Sequence, residues 1–170
     1  TKRICVVFRG SDSLIDWYYD LNVRKQHIKD NIYVHKGFYN QLHINNNYEK
    51  IQTVVLKLLE QYPDHELVAT GHSLGGALST LFGYMITDKL KTSVIKVVSF
   101  ASPRVGNYYF KTDFDKKINL LHYRITNNRD LVTAAPMIDY MHVGKNIHLM
   151  DDCYEYFDKY NYNRWWKYSL

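Results

Sequence analysis

ELVATGHSLGGALSTLFGYMIT, residues 66–87, is the stretch whose reading decides the fold. Glu66 to Thr70 suits a strand, Gly71-His72-Ser73-Leu74-Gly75 follows it, and a helix-like segment runs from Gly76 to about Thr87. The order strand, tight turn, helix around G-x-S-x-G is the context of a nucleophile elbow, in which a serine is presented at strained backbone angles. A side chain at Gly71 or Gly75 would collide with the neighbouring strand or helix, which is the physical reason for glycine there. Helix N-terminal N–H groups then point to where negative charge develops. The bland alternative is a glycine-rich turn with an incidental serine, and the flanking pattern on both sides argues against it.

Working outward, Ile4 to Phe8 is an uninterrupted apolar run, expected to be a strand covered on both faces, with Cys5 a buried thiol. Arg9-Gly10-Ser11 breaks it, and Asp12 to Leu21 fits a short amphipathic helix. Asn22 to Asp30 reads as polar and irregular, and Asn31 to Phe38 as a strand entering a turn at Gly37. Tyr48, Ile51, Val54, Val55, Leu58, Leu59 and Tyr62 recur at helical spacing and predict one buried face, ended by Pro63. Val94 to Phe100 and Leu120 to Ile125 are further buried strands, the first stopped by Ala101-Ser102-Pro103. Tyr140 to Met150 suggests a last strand pair around Gly144, and the aromatic, charged tail from Asp151 has no assignable element. Strands alternating with helices imply an α/β fold with a mostly parallel central sheet flanked by helices.

The 170 residues fit one domain, 1–170, with one core, and 46% hydrophobic content excludes a disordered chain. Thr1 enters a strand directly, so the expectation is a piece of a longer chain, truncated at both ends. No run approaches the roughly 18 apolar residues of a membrane span, and no signal-peptide pattern opens the sequence. The net charge of +5 is spread over scattered lysines and arginines, which speaks against a nucleic-acid partner. Cys5 and Cys153 form no metal-ligand spacing, and no cofactor motif is present. Oligomeric state and compartment are not encoded in any recognisable pattern.

In an open α/β sheet, functional groups collect beyond the carboxyl ends of the strands. Ser11, Ser73 and Asp130 all fall there. Ser73 suits the nucleophile, which needs a base within hydrogen-bond reach and a carboxylate to orient that base. Asp130 lies in a short turn past a strand and, on position alone, is equally a triad acid or a turn-forming aspartate. One oxyanion donor of an elbow is the N–H after the nucleophile, here Leu74, and the other comes from the loop after an adjacent strand, where Arg9-Gly10-Ser11 stands.

Several segments in the right order carry a resemblance. They are VVFRGSDSLIDWYYDL (6–21), VHKGFYNQL (34–42), TGHSLGGAL (70–78), FASPRVGN (100–107), NNRDLVTAAP (127–136) and YMHVG (140–144). Together they resemble the class 3 lipases, α/β-hydrolases typified by fungal triacylglycerol lipases. The resemblance implies the α/β-hydrolase fold and a serine carboxylester hydrolase acting on lipid esters through an acyl-enzyme, with no metal or cofactor. It implies Ser73 as nucleophile, Asp130 as triad acid and Ser11 with Leu74 as oxyanion donors. It further implies that residues 14–21 form or border a lid, with Trp17 and Tyr18 meeting a lipid interface; an amphipathic helix packed on the core remains open beside it. The partner is then a lipid or other ester, its acyl chain in an apolar groove above the elbow.

The base is where the pattern departs from the family. Chain order in this fold is Ser, acid, His, and of the eight histidines only His142 and His148 follow Asp130. The position of His142 matches a structural His-x-Gly of the family, and His35 its packed V-H-x-G-F histidine. Three readings stand: the catalytic His lies beyond Leu170, His148 or His142 has taken over the role, or the protein is a non-catalytic lipid-binding or interaction protein that kept the fold.

Overall fold

The apolar run after Lys2 forms strand β1 (Arg3–Phe8) in the computed structural model, which describes residues 2–10, 24–90, 93–127, 139–150 and 153–157. A hairpin of β2 (Lys25–Lys29) and β3 (Ile32–His35) follows, turned at Asp30, one of the residue types that tolerate a positive φ, here 46°. Helix α1 (Lys36–His43) and, after a single 3-10 turn, helix α2 (Asn47–Gln61) lead to β4 (Glu66–His72) and α3 (Leu74–Thr87). Then come β5 (Ile95–Phe100), α4 (Tyr108–Lys116), β6 (Leu120–Asn127), β7 (Lys145–Leu149) and β8 (Tyr154–Phe157).

The main sheet has the order β1-β4-β5-β6-β7-β8, parallel throughout except for the β7/β8 pair. This mostly parallel sheet flanked by helices is an α/β-hydrolase architecture. Its centre is α3, whose Ala77, Leu81, Phe82 and Ile86 are fully buried against Leu67, Ala69, Ile95 and Val97. Gly83 is the point of closest approach, because a Cβ there would stand 2.5 Å from Val97 Cγ2. Phe110 and Phe114 of α4 pack beside α3, their rings 4.7 and 6.1 Å from that of Tyr84. Burial of large apolar side chains, each contributing about 2 kcal/mol, makes this layer the main source of stability.

Several expectations need correcting. Cys5 is exposed, and Val7 is 71% exposed, because among the described residues only one face of the edge strand β1 is covered: Ile4 is buried and Val6 and Phe8 pack against the core beside it. A continuous apolar run predicts a strand covered on both faces; the observed alternation shows a strand buried on one. Residues 25–29, expected to be irregular, form β2, whose side chains are exposed or half-buried and therefore carry no apolar signal. The strand expected to reach Phe38 stops at His35, whose imidazole accepts the Gly37 N–H at 3.2 Å and caps α1. On α2, Tyr48, Val55 and Leu59 are buried as expected, whereas Val54 and Tyr62 face solvent. The expected strand pair around Gly144 is displaced: β7 begins after that glycine (φ 75°), runs parallel to β6, and pairs with β8 in the tail. Helix α4, capped by the Asn107 side chain on the Phe110 N–H, was not anticipated.

The elbow glycines yield a direct test. A Cβ on Gly75 would run into the Phe8 carbonyl oxygen and lie 2.9 Å from its carbon, both backbone atoms that no rotamer change can move. Gly75→Ala is expected to cost about 3 kcal/mol or more, seen as a lower urea midpoint at unchanged m-value. An unaltered midpoint would show that β1 and α3 are not pressed together there.

Candidate active site at the strand-to-helix elbow

Ser73 sits between β4 and α3 at φ 54°, ψ −118°, a conformation an L-residue holds only when its surroundings impose it. Its N–H donates to the Phe100 carbonyl at 2.9 Å, and its own carbonyl accepts the Ala77 N–H at 3.1 Å. The residue is 2% exposed. Two glycines make the turn sterically feasible. A Cβ on Gly71 would meet the backbone of Gly75 and approach the Phe8 oxygen to 2.7 Å, so the collisions expected from sequence are those observed.

Leu74 is the first residue of α3, so its N–H belongs to a helix N-terminus immediately after Ser73. A Cβ on Gly10 would lie 2.8 Å from the His72 carbonyl oxygen, which sets the loop leaving β1 directly against the elbow. Ser11 follows Gly10 but lies outside the described residues, as do Asp130 and the lid candidates 14–21. β6 carries the chain to Asn127, three residues before Asp130 and past the row in which His72, Phe100 and Ile125 stand abreast.

The two histidines that follow Asp130 are held elsewhere. His148 Nδ1 is 3.0 Å from Thr126 Oγ1, on β7, three strands from β4 and hence roughly 14 Å away at the spacing of a sheet. His142 is buried in a recess shared with Thr80, Ser102, His122 and Arg124. Thr80 is seven residues along α3 from Ser73, about 10 Å down the helix. His148 is therefore too far from Ser73 to take its proton.

A Ser–His contact does exist, in the wrong place for an elbow. His122 Nε2 lies 2.8 Å from Ser99 Oγ and 3.5 Å from Thr80 Oγ1, and the latter hydroxyl donates to the Gly76 carbonyl. Ser99 is fully buried and His122 is 5% exposed. His122 stands three residues before Ile125, about 10 Å short of the elbow row along β6. The buried cluster ties α3 to β5 and β6. Sequence reading missed it, although the signal was present: Leu120, His122, Arg124 and Thr126 share one face of β6 at a period of two, and that face is inward. Burial, and secondly the Arg124 guanidinium, push His122 down to about 3. Burial alone takes His35, its ring tilted against that of Phe38 with centroids 4.3 Å apart, down to about 4. Both are therefore neutral at pH 7. Among the described residues no group of His, Cys, Asp and Glu could hold a metal ion, and no helix is long and apolar enough to cross a membrane.

A family model described as Lipase (class 3) matches residues 5–140. The chain belongs to the class 3 lipases. It is 30% identical over 162 residues to a lipase of Rhizomucor miehei, a match covering 89% of this chain and 43% of that protein. It is 29% identical over 152 residues to the chloroplastic phospholipase A(1) DAD1 of Arabidopsis thaliana, covering 79% of this chain and 34% of that one. Among solved structures, the lipase from Rhizopus microsporus var. chinensis superposes with a TM-score of 0.81 at 29% identity, covering 91% of this chain and 55% of that one. This class 3 lipase chain thus spans less than half the length of the two curated relatives.

The two depressed histidines make the stability of this class 3 chain acid-sensitive. The unfolded chain takes up protons near pH 6.5, whereas the folded one does so only near 4 and 3. Their stabilising contribution is therefore complete above pH 6.5 and is lost as pH falls from there towards 4. Between pH 7 and 5 each is expected to account for about 2 kcal/mol of lost stability. Urea midpoints at the two pH values check this, and in His35→Asn, which keeps a capping oxygen but no titration, the loss should shrink by about half.

Proposed function

We propose that this chain carries the nucleophile of a serine carboxylester hydrolase acting on lipid esters. The observation that supports it most is the backbone of Ser73, held at φ 54°, ψ −118° between β4 and the N-terminus of α3. In this reading Ser73 Oγ attacks the ester carbonyl. A histidine oriented by Asp130 takes the hydroxyl proton and passes it to the leaving alcohol. The Leu74 N–H and Ser11 hold the oxyanion until the tetrahedral intermediate collapses to an acyl-enzyme, which water then hydrolyses. The base is assigned to no described residue; His142 and His148 are held by other contacts, so a histidine outside these 170 residues fits the scheme best. The names of the relatives include both a lipase and a phospholipase A(1). The carboxylic ester of a lipid is what those two names share, and it is the substrate class proposed here; triacylglycerol is the finer choice, with the acyl chain in an apolar groove above the elbow. Contact with a lipid interface belongs to the same reading.

Labelling of the full protein with a fluorophosphonate serine-hydrolase probe tests it. Labelling is expected in the wild type and absent in Ser73→Ala, with ester hydrolysis lowered by about a thousandfold or more. A full protein that shows no Ser73-dependent labelling is instead the lipid-binding or interaction protein that retained the fold.

A further inference from the structure

We infer that Ala101 is a positioning residue for the elbow: its left-handed backbone ends β5 so that one peptide group grips Ser73 on one side and β6 on the other. The inference rests on reading Ser73 as the nucleophile. Ala101 has φ 51°, a conformation that alanine adopts rarely and glycine or asparagine readily. The peptide joining Phe100 to Ala101 makes two bonds. Its carbonyl accepts the Ser73 N–H at 2.9 Å, and its N–H donates to the Ile125 carbonyl at 2.9 Å. Phe100 is in register with His72 on β4 and with Ile125 on β6, so this peptide is the last rung of the ladder before the chain departs.

Two constraints meet there. The Ser73 N–H points away from the helix it precedes, and Phe100 supplies its acceptor. The chain beyond must also pass beneath the first turn of α3, where Ser102 Cβ would be 2.9 Å from a Cβ on Gly76. A residue continuing in extended conformation at 101 would carry Ser102 along the strand direction instead of under the helix. The positive φ turns the chain without moving the Phe100 carbonyl off Ser73. Ala101 to Val105 are all buried, so no exposed loop absorbs an error in that turn. Because β6 runs on towards Asp130, the same peptide sets the spacing between the nucleophile turn and the strand that leads to the acid.

The test separates backbone conformation from side-chain size. Ala101→Asn and Ala101→Thr add similar volume, but only asparagine tolerates a positive φ. Amide hydrogen exchange at Ser73 and the rate of fluorophosphonate labelling are measured on the full protein, well below each variant's melting temperature. Ala101→Gly and Ala101→Asn are expected to keep both close to wild type, while Ala101→Thr loses Ser73 amide protection and slows labelling by about tenfold or more. A purely structural role would lower the melting temperature of Ala101→Thr and leave the folded fraction labelling normally. If Ala101→Thr does not fold, Ala101→Ser replaces it: smaller than asparagine yet less tolerant of positive φ, it should still fall below Ala101→Asn in both readouts. Equal values for asparagine and threonine, or an order that follows side-chain volume, overturn the inference. A wild-type protein that does not label at all removes the hydrolase reading, and the exchange rates at Ser73 still decide the role of Ala101.

Discussion

One backbone conformation organises this molecule: Ser73 at φ 54°, ψ −118°. Such a conformation costs on the order of 1–3 kcal/mol and persists only where its neighbours over-determine it. Those neighbours are identifiable. The Phe8 carbonyl at the end of β1 presses on Gly71 and Gly75, the Phe100 carbonyl at the end of β5 takes the Ser73 N–H, and α3 begins at Leu74 and is buried along nearly its whole length. Three strand ends and one helix thus converge on a single residue. Glycine is needed at 71 and 75 because backbone atoms, which cannot rotate away, fill the space a side chain would use.

The interior around that turn is more polar than an apolar sheet core needs. Ser99, His122, Arg124 and Thr126 are all buried on the helix-covered face of the sheet. Buried polar atoms are tolerated when paired, and the contacts of Ser99, Thr80 and His122 tie the middle of α3 to two strands. The same cluster separates contact from function. Ser99 and His122 have the spacing of a nucleophile and its base, yet both are sealed under a helix and lie below the carboxyl edge of the sheet, where substrate-facing groups collect. Ser73 has the location and lacks a described base. Position in the fold, more than a short Ser–His distance, distinguishes the two.

Legibility in the sequence followed the local character of each signal. The elbow, α3 and the strand before it were readable because glycine spacing and a long apolar helix are properties of consecutive residues. β5 and β6 were readable from dense apolar runs. α1 was hidden: Gly37 suggested a turn, and only the packed His35, whose imidazole accepts the Gly37 N–H, caps a helix there. β2 was hidden because its inward side chains, Gln26 and Ile28, are only half-buried and one of them is polar, so the alternation in burial is not an alternation in hydropathy. The fate of Cys5 depended on β1 standing at the sheet edge, which no run of six residues records. Of the site, Ser73 and Leu74 were legible and are described; Ser11 and Asp130 were legible only as positions past strand ends.

The amino-acid sequence by itself determined the α/β class, the elbow, the helix behind it and the family, because each is written in neighbouring residues or in ordered short motifs. Tertiary structure decided which face of each strand is buried, that His122 pairs with Ser99 and not with the elbow, that His148 stands three strands from Ser73, and that Ala101 turns left-handed beneath α3. These depend on which strands lie side by side and in what register. Between the parallel strands, register is a relation between residues 22 to 63 positions apart, enforced by burial and close packing, and no local pattern carries it.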